Sequence, residues 1–281
     1  MRINHNMSAI FASRQLKLTS QRLDKSIEKL ASGERINIAG DDSSGLAVSE
    51  KMRTQINGLT QAGKNAENGI SFIQVAEGSL QQINGILQRI RMLSVQAANG
   101  IYSNQDRMLI QVEVSQLIKE VDRIATSAEF NRMKMLTGIY AKNSKVGSIF
   151  FHVGPNQNQR IRAYIETMSA KALYLIDENA KKRSISNVGL ANAMIGYVDL
   201  ALDKLNRQRA DLGAYFNRME NTIMALAMSH ENMMSADSRI RDTDMASEMV
   251  EFTKNRVLLK GGIAMLAQAN MKSEVFIKLL V

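Results

Sequence analysis

The hydrophobic residues between Val198 and Met233 recur in alternating steps of four and three. Nine of the eleven positions reached by this stepping are apolar. A heptad pattern of this length predicts one α-helix of about 54 Å, at about 1.5 Å per residue, that packs along a continuous seam. The positions of this seam are Val198, Leu202, Leu205, Arg209, Leu212, Phe216, Met219, Ile223, Leu226, His230 and Met233.

The same stepping marks two further helices earlier in the chain. Between them, Gly100 would end the first helix and Ser103 or Asn104 would cap the second, so a helical hairpin is predicted there. The first seam consists of Ala76, Leu80, Ile83, Leu87, Ile90, Ser94 and Ala97, and the second of Ile110, Val114, Leu117, Val121, Ile124 and Ala128.

Both ends of the chain carry heptad seams that have no partner nearby in the sequence. An amphipathic helix gains most of its stability from burying its apolar face, so these two segments are expected to pair with each other or with other copies of the chain. The predicted terminal coiled-coil seam comprises Leu16, Leu23, Ile27 and Leu30 near the start, and Met249, Phe252, Leu259, Ile263 and Leu266 near the end.

Residues 147–166 change from the helical period to a period of two. Ile161, Ala163 and Ile165 alternate with polar or partly polar residues, and Pro155 stands in the turn, where its missing N–H is harmless. A small β-hairpin is therefore predicted near 147–166. The predicted fold class is mainly α, with long antiparallel helices in a coiled-coil or helical-bundle arrangement and this one hairpin region.

The composition supports long helices and restricts the chemistry. The 281 residues include one proline, no tryptophan and no cysteine, which excludes disulfides and thiolate metal sites. The N-terminus lacks the apolar core of a secretory signal, and no stretch reaches the roughly 20 apolar residues that span a bilayer. We therefore expect no cleaved signal peptide and no membrane insertion.

The net charge of +9 is concentrated in the middle of the chain. Residues 139–183 contain eight Lys and Arg against three acidic residues, whereas residues 1–50 contain seven against six. The central surplus is suited to a separate acidic partner, while the nearly balanced ends are free to associate with each other.

No set of residues forms a complete catalytic, cofactor or metal site. The segment Gly58 to Asn65, GLTQAGKN, has the spacing of a phosphate-binding loop, but Asn65 stands where a Mg²⁺-binding hydroxyl is required. Asp41 and Asp42 precede an apolar run, where short acceptors cap a helix and complement its dipole. His5, His152 and His230 are far apart, and His230 lies on a helical seam. We expect no catalytic residue, no cofactor, no metal and no nucleic-acid module.

The segment Gln88 to Gly100, QRIRMLSVQAANG, has two stripes in a helical projection. The seam residues up to Ala97 fall on the inward face, and a second stripe with apolar residues falls on the opposite face. An exposed apolar stripe edged by charge is typical of a contact surface. The predicted contact residues are Gln88, Arg89, Met92, Val95 and Gln96.

Four long segments resemble, in order, the terminal motifs of bacterial flagellins. They are SGERINIAGDDSSGLAVSEKMR, QRIRMLSVQAANG, QVEVSQLIKEVDRIATSAEFN and SRIRDTDMASEMVEFTKNRVLLKGGIAMLAQAN. With INHN near the start and FHVGPNQNQR in the middle, the chain is most similar to the core flagellins of spirochaetes (class B), whose filaments lie in the periplasm. The resemblance implies a structural subunit, not an enzyme, that polymerises into a periplasmic flagellar filament for motility.

The resemblance also implies a flagellin architecture of two domains, D0 and D1, without outer domains. Residues 1–45 with 241–281 would form a terminal coiled-coil domain, and residues 46–240 a helical bundle with the hairpin. It implies export of the unfolded, uncleaved chain through the flagellar type III apparatus and packing of the segment from Gln88 to Gly100 against a neighbouring protofilament. The implied partners are further copies of the chain, other flagellins, flagellar sheath proteins, an export chaperone, and cap and junction proteins.

Two alternatives remain open at the level of sequence. A flagellar hook–filament junction protein shares the terminal helices but usually departs from the DDSSGLAVSE and QRIR patterns present here. A basic coiled-coil adaptor or nucleic-acid-binding protein would use the central basic surplus and would bind duplex with a steep salt dependence. Seeded polymerisation separates these alternatives, because a filament subunit elongates short filament seeds.

Overall fold

The computed structural model describes residues 6–142, 144, 147–177 and 183–280, with backbone alone for 272–280. Within this part of the chain lie five α-helices and two separate antiparallel pairs of strands, so the predicted mainly α fold is confirmed. No described helix is long and apolar enough to cross a membrane. The elements are α1 (Met7–Ser32), α2 (Ser43–Ala98), α3 (Asn104–Ser127), β1 (Glu129–Phe130), β2 (Met133–Lys134), β3 (Ile149–His152), β4 (Arg160–Ala163), α4 (Val188–Arg241) and α5 (Met245–Leu280).

The described residues divide into two compact units. One lies within Met1–Ile56 and Glu231–Val281, and the other within Asn57–His230. This division groups residues 46–56 and 231–240 with the terminal helices, whereas the sequence suggested domain boundaries at 45/46 and 240/241. An ion pair between Arg241 and Glu50, at 2.9 Å, is one of the contacts inside the first unit.

The core of the second unit is built on the predicted seams. All seven seam residues of α2, from Ala76 to Ala97, are completely buried. Phe72 lies one turn before this seam, and its ring packs edge-on against Phe130 and Phe151, with centroids 5.6 and 5.8 Å apart. The segment between α3 and α4 adds further buried residues, such as Leu136 and Ile165. Seam residues from the other two helices also belong to this cluster; they include Val114, Val121, Val198, Leu205, Leu212 and Met219.

Short polar side chains fix the helix ends that the sequence predicted. Asp42 Oδ1 accepts a hydrogen bond of 2.9 Å from the Gly45 amide at the start of α2. At the start of α3, Ser103 and Asp106 form a reciprocal capping box. Because each of these groups satisfies an amide that has no partner inside its helix, the helices begin where the sequence indicated.

The predicted β-hairpin at 147–166 is confirmed as β3 and β4, and a second, shorter hairpin was not predicted. Strands β1 and β2 are joined by Asn131 and Arg132, whose φ angles are 48° and 63°. Two consecutive left-handed residues match the twist of the strands that they connect. The usual glycine signal for this turn is absent because arginine occupies the second position.

Candidate functional site

The outward stripe of α2 is exposed in the single chain. Met92 is 60% exposed and Val95 is 49% exposed, and Gln88, Arg89 and Gln96 are also exposed. The seam residues on the opposite side of the same helix are fully buried. The two faces predicted from the sequence are therefore present, and the apolar side chains of the outer face do not serve the core.

Helix α3 extends this exposed stripe, which the sequence reading had confined to α2. Arg89 Nε and Nη2 donate hydrogen bonds of 2.9 and 2.7 Å to Glu113 Oε1, which brings the two helices together at this point. Leu109 is 72% exposed and lies one helical turn before Glu113, and Met92 lies one turn after Arg89, so both flank the ion pair. We call Arg89, Met92, Val95, Leu109 and Glu113 the α2–α3 surface.

The terminal helices α1 and α5 pack against each other, but three of the nine predicted seam residues are exposed. Six of the predicted seam residues are half-buried, namely Leu16, Leu23, Leu30, Phe252, Leu259 and Leu266. In contrast, Ile27, Met249 and Ile263 are 48%, 48% and 53% exposed. These three side chains therefore lie away from the seam of the single chain.

Small or polar residues are buried at other positions of the two terminal helices, and two small residues, Ser26 and Gly262, directly precede the predicted seam residues Ile27 and Ile263. Thr19, Ser26 and Asn255 are each about 95% buried. A Cβ atom placed on Gly262 would lie 2.9 Å from Leu16 Cδ1, closer than carbon atoms normally approach. The two helices thus approach closely because the residues between their leucines are small, and hydrophobicity alone does not reveal such positions.

An open apolar groove runs along one side of the paired terminal helices. Its volume is about 850 Å³, and its walls include Met7, Phe11, Val257, Leu258 and Met265. Each of these five side chains is more than half exposed. A single copy of the chain therefore leaves a large apolar surface on α1 and α5 uncovered.

Arg241 joins the end of α1 to the break between α4 and α5. Its guanidinium lies 3.0 Å from a Glu34 carboxylate oxygen and 2.9 Å from a Glu50 oxygen, and these interactions, with Glu50 first, raise the pKa of Arg241. Two backbone hydrogen bonds lie beside it, from the Arg35 amide to the Arg241 carbonyl at 2.6 Å and from the Thr243 amide to Gly33. The sequence analysis did not predict this clamp, since Arg241 is about 190 residues from Glu50 and lies in a different motif from the two glutamates.

The outer face of the β3–β4 hairpin is basic and aromatic. Phe150 is 47% exposed, and the guanidinium carbons of Arg160 and Arg162 lie 4.5 and 5.4 Å from the centre of its ring. His152 pairs with Arg160 in the register and is exposed on the same face. These outward positions of the two strands carry no acidic residue, so the positive charge is not neutralised there.

The basic segment 139–183 is only partly covered by the described residues. Lys145, Lys181 and Lys182 lie outside them, as does His5 of the N-terminus. Arg183 donates a hydrogen bond of 2.8 Å to the Tyr174 carbonyl and stacks 3.5 Å from the centre of the Tyr197 ring. Its contacts within the chain make Arg183 less available to a partner than the hairpin arginines.

The acidic residues considered as candidate chemistry have structural partners. Asp41 accepts a hydrogen bond of 3.1 Å from Lys25 Nζ, which lowers the pKa of the Asp41 carboxyl, and Asp42 caps α2. In the part of the chain that the structure describes, no group of three or more His, Asp or Glu side chains is arranged to hold a metal ion.

Comparison with known proteins matches both ends of the chain to one family. The model of the bacterial flagellin N-terminal helical region matches residues 3–141, and that of the bacterial flagellin C-terminal helical region matches residues 195–280. The chain is 57% identical over 285 residues to the flagellar filament 33 kDa core protein of Treponema phagedenis, with 100% of both chains covered. It is 53% identical over 284 residues to the flagellar filament core protein flaB2 of Brachyspira hyodysenteriae, again with 100% coverage of both.

Solved structures add information about the fold. A flagellar hook-associated protein from Vibrio parahaemolyticus matches with a TM-score of 0.58 at 13% identity, covering 72% of this chain and 100% of that one. At this identity the match indicates a shared fold and nothing more. The crystal structure of Bacillus cereus flagellin is 25% identical, with a TM-score of 0.49 and coverage of 62% and 94%.

Proposed function

Since the chain belongs to the bacterial flagellin family and is a structural subunit of a flagellar filament, we propose that it forms the core of a periplasmic filament. The support is its full-length similarity to filament core proteins of Treponema and Brachyspira, together with its resemblance to spirochaete core flagellins. The role is structural rather than catalytic, and the chain reaches the filament without cleavage of a signal peptide.

Burial of the terminal helices against other copies drives the assembly in this proposal. The observation that carries it is the apolar surface that the paired α1 and α5 leave uncovered, including the exposed residues Ile27, Met249 and Ile263. Burying apolar surface contributes roughly 25 cal/mol per Å², and this gain offsets the entropy lost when the helices become ordered. In this proposal the predicted terminal seam has two roles. Leu16 and Phe252 pack α1 against α5 within one copy, and the three exposed residues contact neighbouring copies.

The α2–α3 surface is the proposed lateral contact with a neighbouring copy. It combines exposed apolar side chains, Met92, Val95 and Leu109, with the half-exposed ion pair of Arg89 and Glu113. Gln88 and Gln96 lie at its edge as polar contacts. In an open helical polymer each contact joins two different surfaces, so this surface meets another part of the next copy and not its own equivalent.

The outer face of the β3–β4 hairpin is the proposed contact with a sheath protein. Arg160 and Arg162 present positive charge beside the exposed ring of Phe150, and the outward positions of β3 and β4 carry no acidic residue. This chemistry fits an acidic protein surface. Other flagellins, an export chaperone, and cap and junction proteins are further proposed partners, supported by the family membership alone.

Seeded growth tests the proposed assembly. Sheared filaments are mixed with purified full-length chain, and elongation is followed by light scattering and electron microscopy. We expect elongation above a critical concentration, and no elongation when residues 245–281 are deleted, because α1 then loses its partner helix. Imaging filaments in cells with and without the gene tests the periplasmic location, and the intact mass of the filament subunit tests whether the chain remains uncleaved.

A further inference from the structure

The chain contains four Asn-Gly sequences, and the structure places one of them apart from the other three. Asn57, Asn68 and Asn84 all lie within helix α2, which spans Ser43–Ala98. Asn99 follows the last residue of that helix, in the turn that leads to α3. The four sites share one local sequence and differ in backbone conformation, so the chain supplies its own controls for any chemistry of this dipeptide.

We propose that Asn99-Gly100 is a site of spontaneous covalent modification, by deamidation through a cyclic imide. The Gly100 backbone nitrogen, on losing its proton, attacks Asn99 Cγ, and the side-chain nitrogen leaves as ammonia. Water then opens the ring at one of its two carbonyl carbons and gives either aspartate or isoaspartate. The net reaction consumes one water molecule and releases one ammonia, and no other reactant is needed.

The backbone of the turn leaves the attacking nitrogen available. Gly100 and Asn99 are both exposed, and the Gly100 amide has no hydrogen-bond partner among the described residues. Inside α2 the corresponding glycine amides belong to the i to i−4 hydrogen-bond ladder, and the helical backbone holds them away from the asparagine side chain. Exposure of the asparagine alone does not account for the difference, because Asn57 and Asn68 are exposed as well; Gly58 and Gly69, however, are less exposed than Gly100.

Arg107 favours isoaspartate as the product. It is only 4% exposed, and its guanidinium donates to three neutral acceptors, namely the Ala97 carbonyl at 2.8 Å, the Asn99 carbonyl at 2.9 Å and the Asn104 side chain at 3.1 Å. In the imide, the former Asn99 carbonyl is one of the two groups that water can attack. A positive donor on that oxygen stabilises the charge that develops there.

The product of that attack would also give Arg107 a charged partner. When the ring opens at the former Asn99 carbonyl, that group becomes a free carboxylate and the main chain continues through the side-chain carbon. The buried guanidinium, whose hydrogen-bond acceptors among the described residues are neutral in the unmodified turn, then pairs with an anion. The modification would add negative charge and one main-chain carbon close to the α2–α3 surface.

The test is an incubation of the full-length chain at mildly alkaline pH, followed by peptide mass spectrometry with fragmentation that separates aspartate from isoaspartate. We expect Asn99 to deamidate at least about tenfold faster than the asparagines in α2, which corresponds to about 1.4 kcal/mol for opening the helix locally. In strong denaturant all four sites should react at similar rates. Similar rates at all four sites in the native chain would overturn the proposal.

Gly100→Ala is the matched variant. Nothing lies within 4 Å of a Cβ atom on Gly100, and its φ is not positive, so the variant should fold like the parent. A methyl group beside the attacking nitrogen should slow the reaction at Asn99 severalfold and leave the three helical sites unchanged. An undiminished rate in this variant would also count against the imide route.

The ratio of isoaspartate to aspartate at Asn99 tests the role of Arg107. If this ratio is no higher in the native chain than in the denatured chain, Arg107 does not direct the ring opening.

Discussion

Arg89 of α2 is bound to Glu113 of α3 within the same chain, through two hydrogen bonds of 2.9 and 2.7 Å to a single carboxylate oxygen. The sequence suggested that Arg89 was free to meet a neighbouring copy. With both side chains about half exposed, the pair stays accessible while it holds the two helices at a fixed separation. Arg89 is therefore poised to act within the chain and between chains, and mutation can separate the two roles.

We expect Arg89→Glu to impair filament growth much more than it destabilises the monomer. Loss of an exposed ion pair usually lowers the free energy of unfolding by about 0.2 to 1 kcal/mol. If each contact in the filament loses about 1 kcal/mol, the critical concentration for seeded growth rises roughly fivefold. The double variant Arg89→Glu with Glu113→Arg restores the internal pair in reverse; full recovery of growth would mean that Arg89 acts only within the chain.

Leu87→Ala is the control for this prediction because Leu87 is completely buried on the other face of α2. Removing its side chain from the core should cost about 2 to 5 kcal/mol in the free energy of unfolding. Thermal unfolding of the monomer should therefore show the larger loss for Leu87→Ala, and the critical concentration for growth should show the larger effect for Arg89→Glu.

All seven positions of the seam predicted for α2 are buried, but Phe72 and Leu93 of the same helix are buried as well and were not predicted; at the terminal seam, three of the nine predicted residues are exposed. Between Ala76 and Ala97 the core positions are nearly all apolar, so hydrophobicity and burial coincide. Between α1 and α5, hydrophobicity and burial do not coincide. Thr19, Ser26 and Gly262 are small enough for the helices to approach closely, and apolar residues next to them are exposed. A prediction based on hydrophobicity therefore assigns the apolar neighbour to the seam instead of the small residue that lies there.

The contacts of the candidate surfaces were less predictable than the helices themselves. Nothing in the local sequence of Arg89 indicates Glu113, since the pair depends on how the α2–α3 turn aligns the two helices. The Arg241 clamp likewise joins Glu34, Glu50 and the end of α4, which are distant in sequence. Such pairs require the tertiary fold before they can be identified.

We expect Ser103→Ala to raise the pKa of Asp106 towards its ordinary value of 3.8. The Ser103 hydroxyl and amide donate hydrogen bonds to Asp106 and lower the pKa of its carboxyl. A carboxyl whose pKa is lower in the folded state adds stability above the unfolded pKa, and this contribution is lost as the pH falls through the folded pKa. An NMR titration of Asp106 in parent and variant checks the shift, and identical titration curves would contradict it.

We expect Phe151→Ala to lower the free energy of unfolding, measured by chemical denaturation, much more than Phe150→Ala does, although the residues are adjacent. Phe151 is 9% exposed and packs against Phe72, so its truncation should cost about 3 to 5 kcal/mol in the free energy of unfolding. Phe150 is 47% exposed beside Arg160 and Arg162, so its truncation should leave unfolding nearly unchanged.

Charge reversal on the same hairpin tests the proposed sheath contact. Replacing Arg160 and Arg162 by Glu should abolish binding of an acidic sheath protein to filaments, and binding by the parent should weaken as salt rises. Co-sedimentation of sheath protein with filaments measures both effects. Binding that is insensitive to the charge reversal and to salt would place the sheath contact elsewhere.

The final prediction compares the same substitution at two adjacent glycines of α5. A Cβ atom on Gly262 meets Leu16 at 2.9 Å, whereas nothing lies within 4 Å of a Cβ atom on Gly261. We expect Gly262→Val to force the terminal helices apart, at a cost of about 1 to 3 kcal/mol for overpacking, and to raise the critical concentration for growth. Gly261→Val should keep the helices paired, because its side chain points away from the seam.

Leu16→Ala provides the rescue that identifies the cause. The smaller side chain leaves space for the valine at 262, so the double variant Leu16→Ala with Gly262→Val should recover part of the growth that the single Gly262→Val variant loses. Hydrogen exchange of α1 and α5 in assembled filaments should follow the same order, with faster exchange in the single variant than in the double. Equal effects of valine at 261 and 262, or no rescue by Leu16→Ala, would mean that close approach at Gly262 does not set the packing of the terminal helices.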